Sequence, residues 1–440
     1  WHCRANCILI DIEMFFAEYG CNEMKLFPDF INMGERINEL RTLLKLYLLM
    51  YADDTIIISE TADGLQKNLD ALSEYCDKWK LKINTDKTKI LIFTRKKKRI
   101  DRNFLLNGRA LEKVEEYNYL GVIFSKNGNF FKARKHLSDQ ATKALFSVLQ
   151  KGNALNLPVD LRLQLFDETI SPILLYGSEV WGYEDMKLLE TIHLKYCKYL
   201  LKLKKTTPSC MVYGETGRYP MELFVKCRMV NFWCRLILDN TNKISSVLYK
   251  IMLDLHCKNM LHSAWIVHIE KILNDCGMSN LWLSQEVQSM PWVKHAIRLR
   301  FQDQFKQQWF ETLQSSDSCR IYRLFKNEHK FEQYLNDDST RITLGRFRTS
   351  NSKLPVNSFV TDINEADRSC QKCNNNNVGD EIHFLFQCPS LKHLREWLIP
   401  TKFLKRQNAL QFAKLITTNN KTVKYKLIKF IALGLKNYNS

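Results

Sequence analysis

The chain has 440 residues, of which 45% are hydrophobic and 25% charged. That is ordinary globular composition, which excludes wholesale disorder and leaves room for roughly two or three domains. Lys and Arg number 65 against 47 Asp and Glu, a formal net charge of +18, which favours a polyanionic partner, most simply nucleic acid, over a membrane surface.

No run of about eighteen or more uncharged apolar residues occurs, which argues against a transmembrane helix. Fourteen cysteines in so long a chain do not read as a disulfide scaffold. Cys76, Cys197, Cys227 and Cys234 stand singly in apolar or helical patterns and predict buried free thiols in a reducing compartment. No secretory signal is evident at the N-terminus. The chain begins at Trp1, which predicts a fragment of a longer protein.

The first forty residues are irregular in pattern. Leu46 to Met50 reads as an apolar strand, Tyr51-Ala52-Asp53-Asp54 as a turn and Thr55 to Ile58 as a β-branched strand, together a hairpin. Leu65, Leu69, Leu72, Cys76 and Trp79 recur at helical spacing, with Asp63 as a candidate cap. Ile90 to Phe93 predicts a short strand and Tyr117 to Phe124 another, with the basic run Arg95, Lys96, Lys97, Lys98, Arg99 between them. Beyond about residue 129 the pattern turns helical, through Leu137, Ala141, Leu145, Val148 and Leu149, then Leu161, Leu165 and Phe166. Pro172 predicts a break or kink. Residues 185–340 read as mostly helical, and near 350 the composition shifts to polar residues. The fold class predicted is α+β.

Adjacent carboxylates in a tight turn repel each other and are tolerated where a cation neutralises them. Mg²⁺ takes one or two carboxylates and leaves its other positions to water and substrate phosphates. Two such ions about 4 Å apart suit in-line displacement at phosphorus. Asp53 and Asp54 are therefore candidate ligands in a nucleotidyl-transfer site; an exposed Asp-Asp turn is the alternative.

Near the C-terminus, Cys370-x2-Cys373 followed by His383-x4-Cys388 supplies the donors of a closed structural zinc site. The polar loop 374–382 between the pairs makes closure feasible. His393 is an alternative fourth ligand, and unpaired thiols beside an exposed His are the competing explanation. His2, Cys3 and Cys7 are read as no site. Arg95 to Arg99 is a candidate for phosphate contact or nuclear import, and otherwise a solvated loop. Lys202, Lys204 and Lys205 form a second basic cluster. The many Trp and Phe residues between 181 and 310 are expected in the core rather than as base-stacking platforms.

The strand–YADD–strand hairpin, with its amphipathic helix and the Lys-rich segment behind it, resembles the palm of reverse transcriptases. The resemblance implies that Asp53 and Asp54 hold catalytic metals. Asn84-Thr85-Asp86-Lys87-Thr88-Lys89 is similar to the next palm motif, which implies that Lys87 is a proton donor to departing pyrophosphate. Tyr119-Leu120-Gly121 resembles the primer-grip hairpin. Ser171 to Trp181 (SPILLYGSEVW) resembles the thumb signature of non-LTR (LINE-type) retrotransposons. Tyr213-Gly214-Glu215-Thr216-Gly217 with Pro220-Met221, Phe347-Arg348-Thr349-Ser350-Asn351 and the Cys/His cluster resemble the same family, over about residues 41–390. No RNase H or integrase signature is seen.

Palms need a third carboxylate from an earlier strand. Cys7-Ile8-Leu9-Ile10-Asp11 followed by Phe15-Phe16 makes Asp11 the candidate, an unrelated or truncated segment being the alternative. Gly20 to Asn32 only faintly resembles the template-binding motif, with Gly34 in place of its second Asp. Fingers and upstream endonuclease have no counterpart, so weak or absent polymerase activity is expected of this chain alone.

The organisation implied is a remnant of upstream palm (1–40), a partial palm with an antiparallel sheet and helices (41–128), a thumb-like helical region (129–240), a helical connector (241–345) and a C-terminal zinc-knuckle region (346–440). The implied cofactors are two Mg²⁺ ions and one structural Zn²⁺. The implied partners are an RNA template, a DNA primer or target and dNTPs, with no membrane, and the implied location is the nucleus. A non-catalytic nucleic-acid-binding remnant is the competing assignment. A group II intron-type reverse transcriptase lacks support from the thumb and knuckle motifs.

Overall fold

The computed structural model describes residues 48–51, 54–94, 101–239, 243–338, 340–354, 369–370, 372–373 and 378–439. Asp11, Asp53, the Arg95 to Arg99 run and the segment around Gly20 to Gly34 lie outside the described residues. The chain divides into two compact units. One contains the described residues up to Ala133 together with Leu238–Ile266, and the other contains Arg134–Ile237 and Val267–Ser440.

In the first unit β1 (Leu48–Tyr51) pairs antiparallel with β2 (Asp54–Ile57), Tyr51 opposite Asp54. The α1 helix (Ala62–Trp79) follows. Its N-cap is Thr61, whose Oγ1 accepts the Gly64 N–H at 3.0 Å. Asp63, the cap expected from sequence, instead stands in the first turn and pairs with Arg102. The reason is position: a cap must sit outside the helix to reach the free N–H groups, and Thr61 is extended there.

Four short strands come next: β3 (Lys89–Leu91), β4 (Leu105–Leu106), β5 (Arg109–Ala110) and β6 (Glu112–Val114). Asn107 and Gly108 turn β4 into β5 with positive φ of 51° and 75°, the geometry of a two-residue hairpin loop. Leu69 of α1 packs with Ile90, Phe104, Leu106 and Leu111 into the core of this unit.

The apolar run expected as one strand over Tyr117 to Phe124 is two: β7 (Glu116–Tyr119) and β8 (Val122–Ser125), paired antiparallel. Leu120 (φ 48°) and Gly121 (φ 80°) form the turn. Leu120 is apolar and preserves the pattern, so only its backbone reveals the reversal. The α+β class holds. The antiparallel sheet expected for the palm is seen in three pairs, but β3 pairs parallel with β6, and among the described residues the strands form four separate two-stranded sheets.

The second unit takes most of α2 (Phe131–Ala154), then α3 (Val159–Leu165), α4 (Ser171–Leu174), α5 (Ser178–Trp181), α6 (Lys187–Leu200), α7 (Ser209–Thr216) and α8 (Met221–Leu238). The α9 helix (Ile244–Cys257) belongs to the first unit. The chain continues through α10 (Ala264–Asp275), α11 (Ser279–Ser284), α12 (Met290–Ser315) and α13 (Arg341–Arg348). It ends with α14 (Lys392–Leu398), α15 (Thr401–Leu404), α16 (Ala409–Ile416) and α17 (Lys421–Asn439).

The break expected at Pro172 takes the form of a π-turn, Phe166–Ile170, immediately before α4. Widening the turn accommodates a residue that has no N–H to donate. Trp181, Trp233, Trp282 and Trp309 are buried as expected, while Trp292 is exposed. The cysteines expected to be buried are so, except Cys227, which is partly exposed.

Candidate functional site

Asp54 opens β2 and is exposed to solvent. Tyr119, at the end of β7, lies close enough to feel it. Partial burial raises the Tyr119 phenol above its ordinary pKa, and the Asp54 charge adds to the rise. The turn carrying Lys87 is built by Asn84, whose Oδ1 accepts the N–H groups of Asp86 (3.1 Å) and Lys87 (3.2 Å). This is the local side-chain-to-backbone bonding that Asn favours in turns. Tyr117 of β7 reaches the Lys87 carbonyl at 3.5 Å, the long limit of a hydrogen bond. The β7–β8 hairpin thus adjoins both the acidic hairpin and the Lys87 turn. Asp54, Lys87, Leu120 and Gly121 are well exposed and Tyr119 is half-buried. Carboxylate oxygen at an exposed turn is the donor type that Mg²⁺ takes.

At the C-terminal end, the ligand atoms of Cys370, Cys373, His383 and Cys388 all lie within 4.8 Å of one another. Sγ of Cys370 is 3.9 Å from Sγ of Cys388, and Sγ of Cys373 is 3.4 Å from Nε2 of His383. His393, the alternative fourth ligand, is not among them. Three soft donors and an imidazole suit zinc. Burial pushes the His383 imidazole below its ordinary pKa, the direction that favours the neutral form a ligand needs.

Further residues orient these ligands. Asp380 accepts the His383 N–H at 2.8 Å and pairs with Arg320 at 3.1 Å. Arg395 donates to the carbonyls of Leu385 (2.7 Å) and Cys388 (2.8 Å). Phe384 stacks against Phe347 of α13 and Phe430 of α17. The Cys/His cluster therefore rests on a buried aromatic layer, because α17 returns to cover it.

Lys202, Lys204 and Lys205 are exposed on the loop after α6. That loop is held from behind. Arg346 donates to the Lys202 carbonyl (2.9 Å), Asn351 accepts the Lys204 N–H (3.0 Å) and Lys198 donates to the Lys205 carbonyl (2.7 Å). The Lys202 ammonium lies 4.1 Å from the Tyr199 ring centre. These bonds fix the loop backbone and so the positions from which the three Lys side chains project. The bracing role of Arg346 was not read from sequence, since its partner lies 144 residues away.

Two motifs singled out in the sequence meet inside the second unit. Glu215 of α7 (0% exposed) accepts from Arg348 of α13 (2% exposed) at 2.9 Å, from Tyr322 at 2.9 Å and from Tyr334. Burial opposes ionisation of Glu215, but Arg348 and Lys326 outweigh it and hold the carboxyl below the usual range. Gly217 (φ 63°) lets α7 end against the backbone of Phe331, where an added Cβ would come within 2.5 Å of the Phe331 nitrogen.

Residues 30–124 match the family described as reverse transcriptase (RNA-dependent DNA polymerase). The chain is also similar to polymerases of mobile elements. It is 30% identical over 166 residues to an RNA-directed DNA polymerase from mobile element jockey of Drosophila funebris, a match covering 35% of this chain and 17% of that protein. It is 25% identical over 165 residues to the jockey polymerase of Drosophila melanogaster, covering 35% and 17%. A third relative, "Probable RNA-directed DNA polymerase from transposon BS" of Drosophila melanogaster, is 30% identical over 148 residues, covering 31% and 16%. The resemblance to LINE-type reverse transcriptases read from the motifs is borne out. The matches span no more than 17% of the length of these three relatives. No solved structure matches the chain. Among the described residues, no helix is long and apolar enough to cross a membrane.

Proposed function

We propose that this chain is the palm, thumb and C-terminal knuckle portion of a LINE-type RNA-directed DNA polymerase. The observation that carries this is the β1–β2 hairpin, which sets Asp54 opposite Tyr51, with Tyr119 of the β7–β8 hairpin close enough to feel the Asp54 charge. Asp53 and Asp54 hold divalent cations, with Asp11 as the third carboxylate. Two bound Mg²⁺ ions supply charge neutralisation at the α-phosphate of a dNTP.

The remaining roles belong to the chain's own side chains. Lys87, on its Asn84-built turn, gives a proton to departing pyrophosphate. Tyr119, Leu120 and Gly121 steady the primer 3′ end. Lys202, Lys204 and Lys205 contact template or primer phosphates, as does the Arg95 to Arg99 run, which also directs the chain to the nucleus. Cys370, Cys373, His383 and Cys388 hold one structural zinc ion.

Manganese binding followed by electron paramagnetic resonance tests the metal assignment. The wild type sequesters Mn²⁺, and the Asp53→Asn/Asp54→Asn variant loses most of that affinity. Equal binding by both would remove the acidic hairpin from the site.

A further inference from the structure

We propose that a cleft on the second unit, between α5, α8 and α12, binds phosphate groups of a nucleic-acid backbone. This rests on the nucleic-acid reading above and adds a surface of which the sequence motifs cover Glu179 alone. The cleft has a volume of about 210 Å³ and is lined by Glu179, Arg228, Asn231, Arg235, Met290 and Lys294. That is space for on the order of seven waters, enough for a hydrated phosphate group.

Its lining holds three cations and one acid. Glu179 is already engaged by Arg228, at 3.5 Å. The arrangement is periodic. Arg228, Asn231 and Arg235 follow at steps of three and four and share one face of α8. Lys294 and Arg298 are four apart and share a face of α12, which carries no acid between Met290 and Gln302. Arg298 and Lys294 also face Cys227 of α8. Burial raises the Cys227 thiol to about 11 against the opposing pull of these two cations. Two helices therefore bring cationic faces together along a concave strip, with an amide of Asn231 between the α8 guanidinium groups. Guanidinium, ammonium and amide donors gathered in one cleft match the acceptor oxygens of backbone phosphates.

The test uses the full chain, a labelled single-stranded RNA, the same sequence as DNA, and vesicles containing anionic phospholipid, each titrated across a salt series. Arg235→Gln/Lys294→Gln is compared with Lys421→Gln/Lys426→Gln, which removes equal charge from α17, and circular dichroism confirms that both variants fold. The expected result is RNA binding weaker by on the order of tenfold for the cleft variant only, with the salt slope reduced by about 0.7 per lost phosphate contact. A similar loss on DNA shows that the backbone is what is read. Equal RNA affinity and slope in both variants would overturn the proposal while leaving the polymerase reading intact. Loss confined to vesicles would overturn it in favour of a lipid headgroup. Failure of the wild type to bind either nucleic acid would instead overturn the nucleic-acid reading itself.

Discussion

Glu215 and Arg348 form an ion pair shut away from water, and its strength lies in being completely satisfied. Tyr322 and Tyr334 donate to the carboxylate, while Glu332 takes up a further donor of Arg348 at 3.2 Å. Removing Glu215 leaves two buried cations, Arg348 and Lys326, sharing the single carboxylate of Glu332, at a cost of about 3–5 kcal/mol. Glu215→Gln is expected to lower unfolding free energy by about that amount in urea titration; a loss under about 1 kcal/mol, the range of exposed pairs, would contradict the burial.

His329 sets a pH limit. Its Nε2 pairs with the Arg218 carbonyl at 3.0 Å, and its Nδ1 has no hydrogen-bond partner among the described residues. Burial pushes the imidazole down to about 4 from the ordinary 6.5. The unfolded chain therefore takes this proton first as pH falls. The stability held by the neutral ring is complete above about 6.5 and declines towards pH 4. Between pH 7 and 4.5 the wild-type melting temperature should fall more steeply than that of His329→Gln, and parallel curves would contradict it. Asp54, Lys87 and Tyr119 were singled out because their motifs are local in sequence, and the structure places Tyr119 near Asp54 and Tyr117 near the Lys87 turn. The Glu215–Arg348 pair was not legible as a contact, since its members stand 133 residues apart and nothing local in either motif names the other.

At the level of elements, patterning located the segments better than their ends. Helix α1 and the acidic hairpin follow from apolar spacing. The β7–β8 reversal was hidden because it is encoded in positive φ at Leu120 and Gly121 rather than in polarity. The Asn107-Gly108 turn carried a clear sequence signal of a hairpin that went unused. The ligand spacing of the knuckle was legible, but its support by Phe347 and Phe430 was not, because that packing joins remote helices. This changes what metal removal should do. The purified chain is expected to carry one zinc ion, and a strong chelator should lower the melting temperature and release it. The aromatic layer should leave the rest of the second unit helical by circular dichroism. Metal-free protein whose melting ignores chelator would contradict the knuckle assignment.

For the whole molecule, composition indicated a globular chain and the net charge of +18 a polyanionic partner, while the mixed fold class came from the apolar patterning. The division into two units was beyond them, because Leu238–Ile266 joins a unit otherwise built from the chain before Arg134. Such a return is set by tertiary contact and leaves no compositional boundary. The central claim is that the acidic hairpin is a polymerase centre. Primer extension on poly(rA)/oligo(dT) with Mg²⁺, wild type beside Asp54→Asn, tests it most directly. The account predicts slow, Mg²⁺-dependent extension by the wild type and none by the variant. Extension indifferent to the substitution, or none from folded wild type that binds the template, would contradict it and leave a binding role alone.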